Sequence, residues 1–201
     1  MQSRSDDGPV PSAAVAKIAL RDRISTMRHR RSLLEIGDAA RGLAEVVMAR
    51  PEVRRAATVA AYVSIGSEPG TGPLLDALTA AGKRVILPVV LPDLDLDWGT
   101  WRGSTALMPA RRGLLEPADR LGLDAIATAD LVLAPGSAVS AAGDRLGQGG
   151  GCYDRALGRV PVGTPVAVLL YDDEVGLDVP VDAHDRPVTA AATPTRWVSV
   201  R

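Results

Sequence analysis

Four short apolar runs govern what this chain can fold into: TVAAYVS at 58–64, RVILPVV at 84–90, DLVLAPG at 130–136 and TPVAVLL at 164–170. A strand with one wet face alternates apolar and polar residues. These runs do not alternate, so strands built from them have to be covered on both sides. Between them lie helix-like segments such as PLLDALTAAG, which Gly82 closes. Strands covered on both faces and separated by helices specify a parallel sheet between two helical layers. The expected fold is therefore three-layer α/β/α with a mostly parallel, Rossmann-like sheet. LDLDWGTW at 94–101 does alternate, and is expected as an antiparallel strand or hairpin beside that sheet.

Upstream of the first run the chain reads as helical. Residues 1–12 are polar, carry two prolines and show no apolar period, so a loose tail is expected there, with a single domain over 13–201. Ser12 is placed to cap a helix running to about Arg31. Val15, Ile18, Ile24 and Met27 fall near one face of it, and Lys17 and Arg21, four apart, share another. A second helix is expected from about Asp38 to just before Pro51, because proline disfavours helix at the residue preceding it.

Composition excludes some partners. The 201 residues are 46% hydrophobic with a formal net charge of -1, which gives no wholesale attraction to nucleic acid or to an anionic membrane. No apolar run approaches the roughly 20 residues of a membrane span. The first residues lack the apolar centre of a secretion signal, and the single cysteine, Cys152, has no partner for an internal disulfide. A cytoplasmic monomer is the expectation.

The chemistry concentrates in RLGQGGGCYD, Arg145 to Asp154, which follows an expected strand end within ten residues. Ligands of open α/β sheets bind beyond the carboxyl ends of the strands. Successive backbone N–H groups in a glycine-rich turn form a nest for an anion, and CYDRAL after Gly151 is helix-compatible, so its N-terminus adds a favourable dipole. Arg145 offers a guanidinium fork suited to phosphate oxygens, and Asp154 a hard oxygen of the kind Mg²⁺ prefers. Together these read as a nucleotide triphosphate site. G-x-x-x-x-G-K-[ST] is absent, and GQGGG lacks the strand immediately before it that a dinucleotide fingerprint requires. By spacing alone, a flexible hairpin stays as open as a phosphate cradle.

Residues 130–157, DLVLAPGSAVSAAGDRLGQGGGCYDRAL, resemble the signature of the 5-formyltetrahydrofolate cyclo-ligase (5,10-methenyltetrahydrofolate synthetase) family: apolar strand, P-G, a turn with G-x-R-L-G-x-G-x-G-Y-Y-D, then a helix. Only the first tyrosine differs, being Cys152. KIALR resembles the family's N-terminal K-x-x-L-R, and YVSIGSEPGT its substrate segment. GKRVILPVV, LLEP near 114–117 and VPVDAHDRPV near 179–188 match further landmarks, so the resemblance spans Lys17 to Thr193. Lys17 and Lys83 are the only lysines among 23 basic residues, which suggests that an ammonium at 17 serves where a guanidinium would not.

The resemblance implies an enzyme that uses ATP and Mg²⁺ to cyclise 5-formyltetrahydrofolate, with or without a polyglutamate tail, releasing ADP and phosphate. By it Lys17, Arg21 and Arg145 neutralise phosphates, and the loop Leu146, Gly147, Gln148, Gly149, Gly150, Gly151, Cys152 and Tyr153 cradles the nucleotide. Val63, Glu68, Gln148 and Tyr153 contact the folate, and Asp154 and Asp185 hold Mg²⁺. Lys17, Arg145 and Tyr153 are the implied catalytic residues. Each has a plainer reading: a solvated helix face for Lys17 and Arg21, turn carboxylates at Glu68 and Asp185, a helix-dipole partner at Asp154. Trp98, Trp101 and Trp197 are expected in core or hairpin packing, and Cys152 as a small partly buried residue rather than a nucleophile. The chain departs from the family pattern at Arg111 and Arg112, where an aromatic residue is common, at Gln148, and at Glu174, where glutamine is common. Two rivals stand beside the enzyme: a sugar-phosphate isomerase on a related sheet, and a non-catalytic nucleotide- or folate-binding relative.

Overall fold

The computed structural model describes residues 12–200. The expected tail thus lies outside the described residues except for Ser12, whose hydroxyl accepts the Val15 amide and caps α1 (Ala13–His29). The expected apolar face of α1 is corrected. Val15 and Ile18 are each 56% exposed, and the buried stripe is Lys17, Leu20, Ile24 and Arg28. Two cations lie on that stripe because distant carboxylates meet them, which no local pattern displays. α2 (Leu33–Met48) begins before the expected Asp38, at a capping box in which Ser32 and Glu35 satisfy each other's backbone amides. It is followed by the single turn α3 (Pro51–Arg55).

The remaining elements alternate as the apolar runs require: β1 (Thr58–Ala60), α4 (Gly72–Ala80), β2 (Arg84–Val90) and β3 (Leu96–Thr100), then the small hairpin of β4 (Leu107–Pro109) and β5 (Leu115–Pro117). β6 (Leu131–Pro135) leads into a second small hairpin, β7 (Ala138–Val139) and β8 (Arg145–Leu146), and then α5 (Cys152–Leu157). β9 (Val166–Leu169), β10 (Ala190–Ala192) and β11 (Trp197–Ser199) complete the chain.

Seven strands form one sheet in the order β11-β10-β9-β6-β1-β2-β3. The pairs β2–β1, β1–β6, β6–β9 and β9–β10 are parallel, while β3 and β11 are antiparallel edges. The alternating segment at 94–101 thus pairs as expected, Leu96 opposite Val90 and Thr100 opposite Ile86. β1 is shorter than its apolar run. The strand ends at Ala60, and the chain then leaves the sheet with Tyr62 and Val63, which positions the segment to Glu68 beyond the carboxyl end of β1.

Both faces are covered. On one, Leu43 and Val47 of α2 and Leu74, Leu75 and Leu78 of α4 pack over Val59, Leu131 and Leu133. On the other, Ile126, Ala156 and Leu157 cover Val132, Val168 and the fully buried Trp98. Trp101 is also buried, and Trp197 packs against the first of these cores. Among the described residues no helix is long and apolar enough to cross a membrane. From β1 the parallel order proceeds to β2 on one side and, through β6, to β9 and β10 on the other. The order therefore reverses between β1 and β6, and the loops that leave their carboxyl ends diverge to open a crevice.

Candidate active site

That crevice is a cleft of about 910 Å³. The loop after β1 lends it Tyr62, Val63 and Glu68, the segment after β6 lends Pro135 and the glycine loop, and α1 lends Lys17 and Arg21. Every site residue assigned above lines it: Lys17, Arg21, Val63, Glu68, Arg145 through Asp154, and Asp185.

Arginines brace the loop. Arg145, 4% exposed, donates to the Pro135 carbonyl (3.1 Å) and to Asp154 Oδ1 (2.9 Å), joining the end of β6 to α5. Arg21 Nε donates to the Gly147 carbonyl at 2.7 Å, and Arg155 donates both to the Gly150 carbonyl (3.1 Å) and to Leu94 O (2.6 Å) at the β2–β3 turn. Gly149 (φ +97°) and Gly151 (φ +67°) adopt left-handed backbone, which a side chain would strain, and Gly151 opens α5.

Lys17 is almost fully buried, and its ammonium donates to Asp182 Oδ2 (2.7 Å) and Asp185 Oδ2 (2.5 Å). Burial alone would lower its pKa; the two carboxylates outweigh this and raise it. Burial likewise pushes the Asp185 carboxyl up, but the hydrogen bonds from Lys17 and from the Asp182 amide hold it below its ordinary value. Lys17 is thus no solvated face. Asp154 Oδ1 accepts the Arg186 amide (3.2 Å) as well as Arg145. Asp182, His184 and Asp185 bring one possible metal-ligand atom each within 4.8 Å of one another.

At the other wall, Glu68 is held by the Ile65 amide (3.0 Å) and the Gln148 amide nitrogen (3.3 Å), and burial raises its carboxyl above the usual range. Gln148 therefore ties the glycine loop to the β1 loop across 80 residues of chain. Tyr153 is edge-on to Trp98, with ring centroids 6.5 Å apart, and burial raises its phenol. At the departures from the family pattern, Arg111 is exposed, the Arg112 side chain lies outside the described residues, and Leu114, Leu115 and Glu116 of the β4–β5 hairpin line the cleft. Glu174 is the buried partner of Arg28, its two oxygens each 2.7 Å from the guanidinium. Arg28 also donates to the Gly136 carbonyl (2.8 Å), so the pair fastens α1 to the end of β6.

A family model described as the 5-formyltetrahydrofolate cyclo-ligase family matches residues 13–194. The chain belongs to that family. A 5-formyltetrahydrofolate cyclo-ligase of Mycolicibacterium smegmatis is 42% identical over 147 residues, 70% of this chain and 75% of that one. One of Escherichia coli is 33% identical over 159 residues, 75% of this chain and 85% of that one. Among solved structures, a 5,10-methenyltetrahydrofolate synthetase of Aquifex aeolicus superposes with a TM-score of 0.79 at 27% identity, covering 92% of this chain and 93% of that one. A second, from Mycoplasma pneumoniae, superposes with a TM-score of 0.70 at 21% identity, over 89% of this chain and 98% of that one, and shares the fold. Membership makes the chain an enzyme of the ligase class and leaves the sugar-phosphate isomerase reading without support.

Residue-by-residue reading gave no site role to several members of the cleft, among them Asp182, His184 and Tyr62. Asp182 and His184 stand in the quoted VPVDAHDRPV, where Asp185 alone was given a site role and His184 was read as structural or solvent-facing; the i, i+2, i+3 spacing was the available signal. Tyr62 precedes the assigned Val63 and was hidden within an apolar run.

Proposed function

We propose that the chain cyclises 5-formyltetrahydrofolate to 5,10-methenyltetrahydrofolate with ATP, releasing ADP and phosphate. The carrying observation is that one cleft joins a phosphate-type wall (Lys17, Arg21, Arg145 and the glycine loop) to the Glu68–Gln148 pair. The formyl group on N5 is an amide, a poor electrophile whose oxygen leaves badly. Its oxygen attacks the terminal phosphorus of ATP, an O–P bond forms, and ADP leaves. N10 then attacks the activated formyl carbon, loses its proton, and phosphate departs as the ring closes.

Such a transfer asks the protein for positioning and charge stabilisation. Lys17, Arg21 and Arg145 neutralise phosphate oxygens, and Glu68 orients the folate by accepting from its N–H groups. Lys17 is ion-paired to Asp182 and Asp185 and Arg145 to Asp154 in the same cleft, so much of this wall's positive charge is already offset before a triphosphate arrives. A divalent cation arriving with the nucleotide supplies the missing charge, and hard carboxylate oxygens suit Mg²⁺. Asp154 and Asp185 would hold it. A cytoplasmic, monomeric enzyme that takes mono- or polyglutamylated folate belongs to the same reading.

The test is growth of the methenyl absorbance band when purified protein meets 5-formyltetrahydrofolate, ATP and Mg²⁺. Growth that depends on ATP is expected. No growth from folded protein that still binds ATP would refute the enzyme and favour the non-catalytic binder.

A further inference from the structure

Tyr62 stands two residues past the end of β1, at the strand-order reversal, and lines the cleft. Its ring is locked by packing in the core with Leu43, Val47, Leu74 and Leu78, leaving the side chain 4% exposed. Phenylalanine would fill that space equally well. The hydroxyl is nevertheless inaccessible to solvent and has no hydrogen-bond partner among the described residues. A buried O–H without an acceptor is unfavourable in the ligand-free protein, so its presence calls for a partner that arrives from outside.

The neighbourhood narrows what that partner is. Besides burial, the groups that act electrostatically on the hydroxyl are Glu68, Tyr153, Arg28 and Glu174. Arg28 and Glu174 are paired with each other, both Glu68 oxygens are engaged by Ile65 and Gln148, and the buried Tyr153 hydroxyl likewise makes no hydrogen bond among the described residues. The Glu68 carboxylate is an acceptor for N–H groups, and Tyr62 sets a donor near it. A donor and an acceptor side by side match a ring edge on which an N–H adjoins a carbonyl, as in the lactam of a reduced pteridine.

Building on the cyclo-ligase reading, we propose that the Tyr62 hydroxyl donates a hydrogen bond to the lactam carbonyl of the folate while Glu68 accepts from the N–H groups beside it, making Tyr62 a specificity residue. The contact uses no energy from ATP and forms in the folate complex before any chemistry.

The experiment is Tyr62→Phe in the full chain, read three ways: thermal midpoint without ligand, calorimetric affinity for 5-formyltetrahydrofolate, and KM for each substrate. Loss of one neutral hydrogen bond predicts about a tenfold weaker folate affinity and a matching rise in folate KM. The KM for ATP stays unchanged, and the midpoint is unchanged or higher, since a buried unpartnered group has been removed. Unchanged folate affinity with a higher midpoint would overturn the proposal and leave the hydroxyl as a buried cost without function. A lowered midpoint with both KM values raised together would overturn it in favour of a structural role. A wild-type protein that binds the folate without cyclising it refutes the cyclo-ligase reading instead, and the affinity of Tyr62→Phe then decides the contact by itself. Failure of the wild type to bind the folate at all overturns both.

Discussion

Glu174→Ala isolates the contact that holds α1 against the sheet. Arg28 is 3% exposed and Glu174 1%, so neither charge has water to fall back on. Arg28 makes three hydrogen bonds, two to Glu174 and one to the Gly136 carbonyl, and Glu174 Oε2 also accepts the Tyr171 amide at 3.0 Å. Truncation removes two of the three acceptors from a buried guanidinium and orphans a buried amide. Breaking one partner of such a pair costs about 3–5 kcal/mol. For a domain of this size each kcal/mol moves the thermal midpoint by roughly 2–4 °C, so the fall is on the order of 10 °C. The double variant Arg28→Met/Glu174→Met removes both charges together and should lose much less, because no uncompensated charge remains. The Arg31–Asp173 pair is the internal control. With side chains 23% and 45% exposed, Asp173→Ala should cost no more than about 1 kcal/mol. Urea and thermal unfolding of the variants measure all of this. A double variant as unstable as Glu174→Ala, or a Glu174→Ala within error of Asp173→Ala, would refute the argument that burial of the unpartnered cation dominates.

Two further outcomes follow from the cleft. Lys17→Ala should chiefly raise the KM for ATP, as steady-state kinetics at varied ATP will show; an unchanged KM would make Lys17 a purely structural counter-ion for Asp182 and Asp185. Glu68→Gln should stabilise the protein at neutral pH while weakening folate binding. Burial raises the Glu68 carboxyl above its ordinary value of 4.5, so its folded-state pKa exceeds the unfolded one. The destabilisation is then absent below the unfolded pKa, grows as pH rises through the window between the two, and is complete above the folded value. Calorimetry of both proteins in acid and at neutrality should show the gain only at neutrality, and an equal gain at both would remove ionisation as its cause.

The sheet was legible because its strands state their own environment. RVILPVV became β2 at the same limits, 84–90, and the runs at 130 and 164 became β6 and β9 in the parallel centre. The glycine loop was legible as a place of special backbone, which Gly149 and Gly151 adopt, but its spacing alone left a flexible hairpin as open as a cradle. What failed was α1. Val15 and Ile18 suggested an apolar face, yet the buried stripe takes Lys17 and Arg28, whose carboxylates are supplied from 146 to 168 residues away. A local period weighs a lysine as exposed, and tertiary pairing overturns that. The link between Glu68 and Gln148 was invisible to spacing for the same reason, and only the family resemblance had placed both at one substrate.

The loop's order also had to come from outside its own sequence. Small neutral residues resist no deformation, and an unpinned glycine turn would have to be immobilised by the ligand, at a loss of roughly 1–2 kcal/mol per residue in backbone entropy. Here the immobilisation is already present. Arg21 from α1 holds the Gly147 carbonyl, Arg155 from α5 holds Gly150 and the β2–β3 turn together, and buried Arg145 fixes the loop's base to β6 and Asp154. In a planar trans peptide the C=O and the next N–H point in opposite directions, so holding the carbonyls of Gly147 and Gly150 turns the amides of Gln148 and Gly151 the other way. An arginine that neutralises a carbonyl dipole on one side of the peptide thereby presents a donor on the other. On the proposed reading, a phosphate cradle built this way would need no side chain of its own between Gly147 and Gly151.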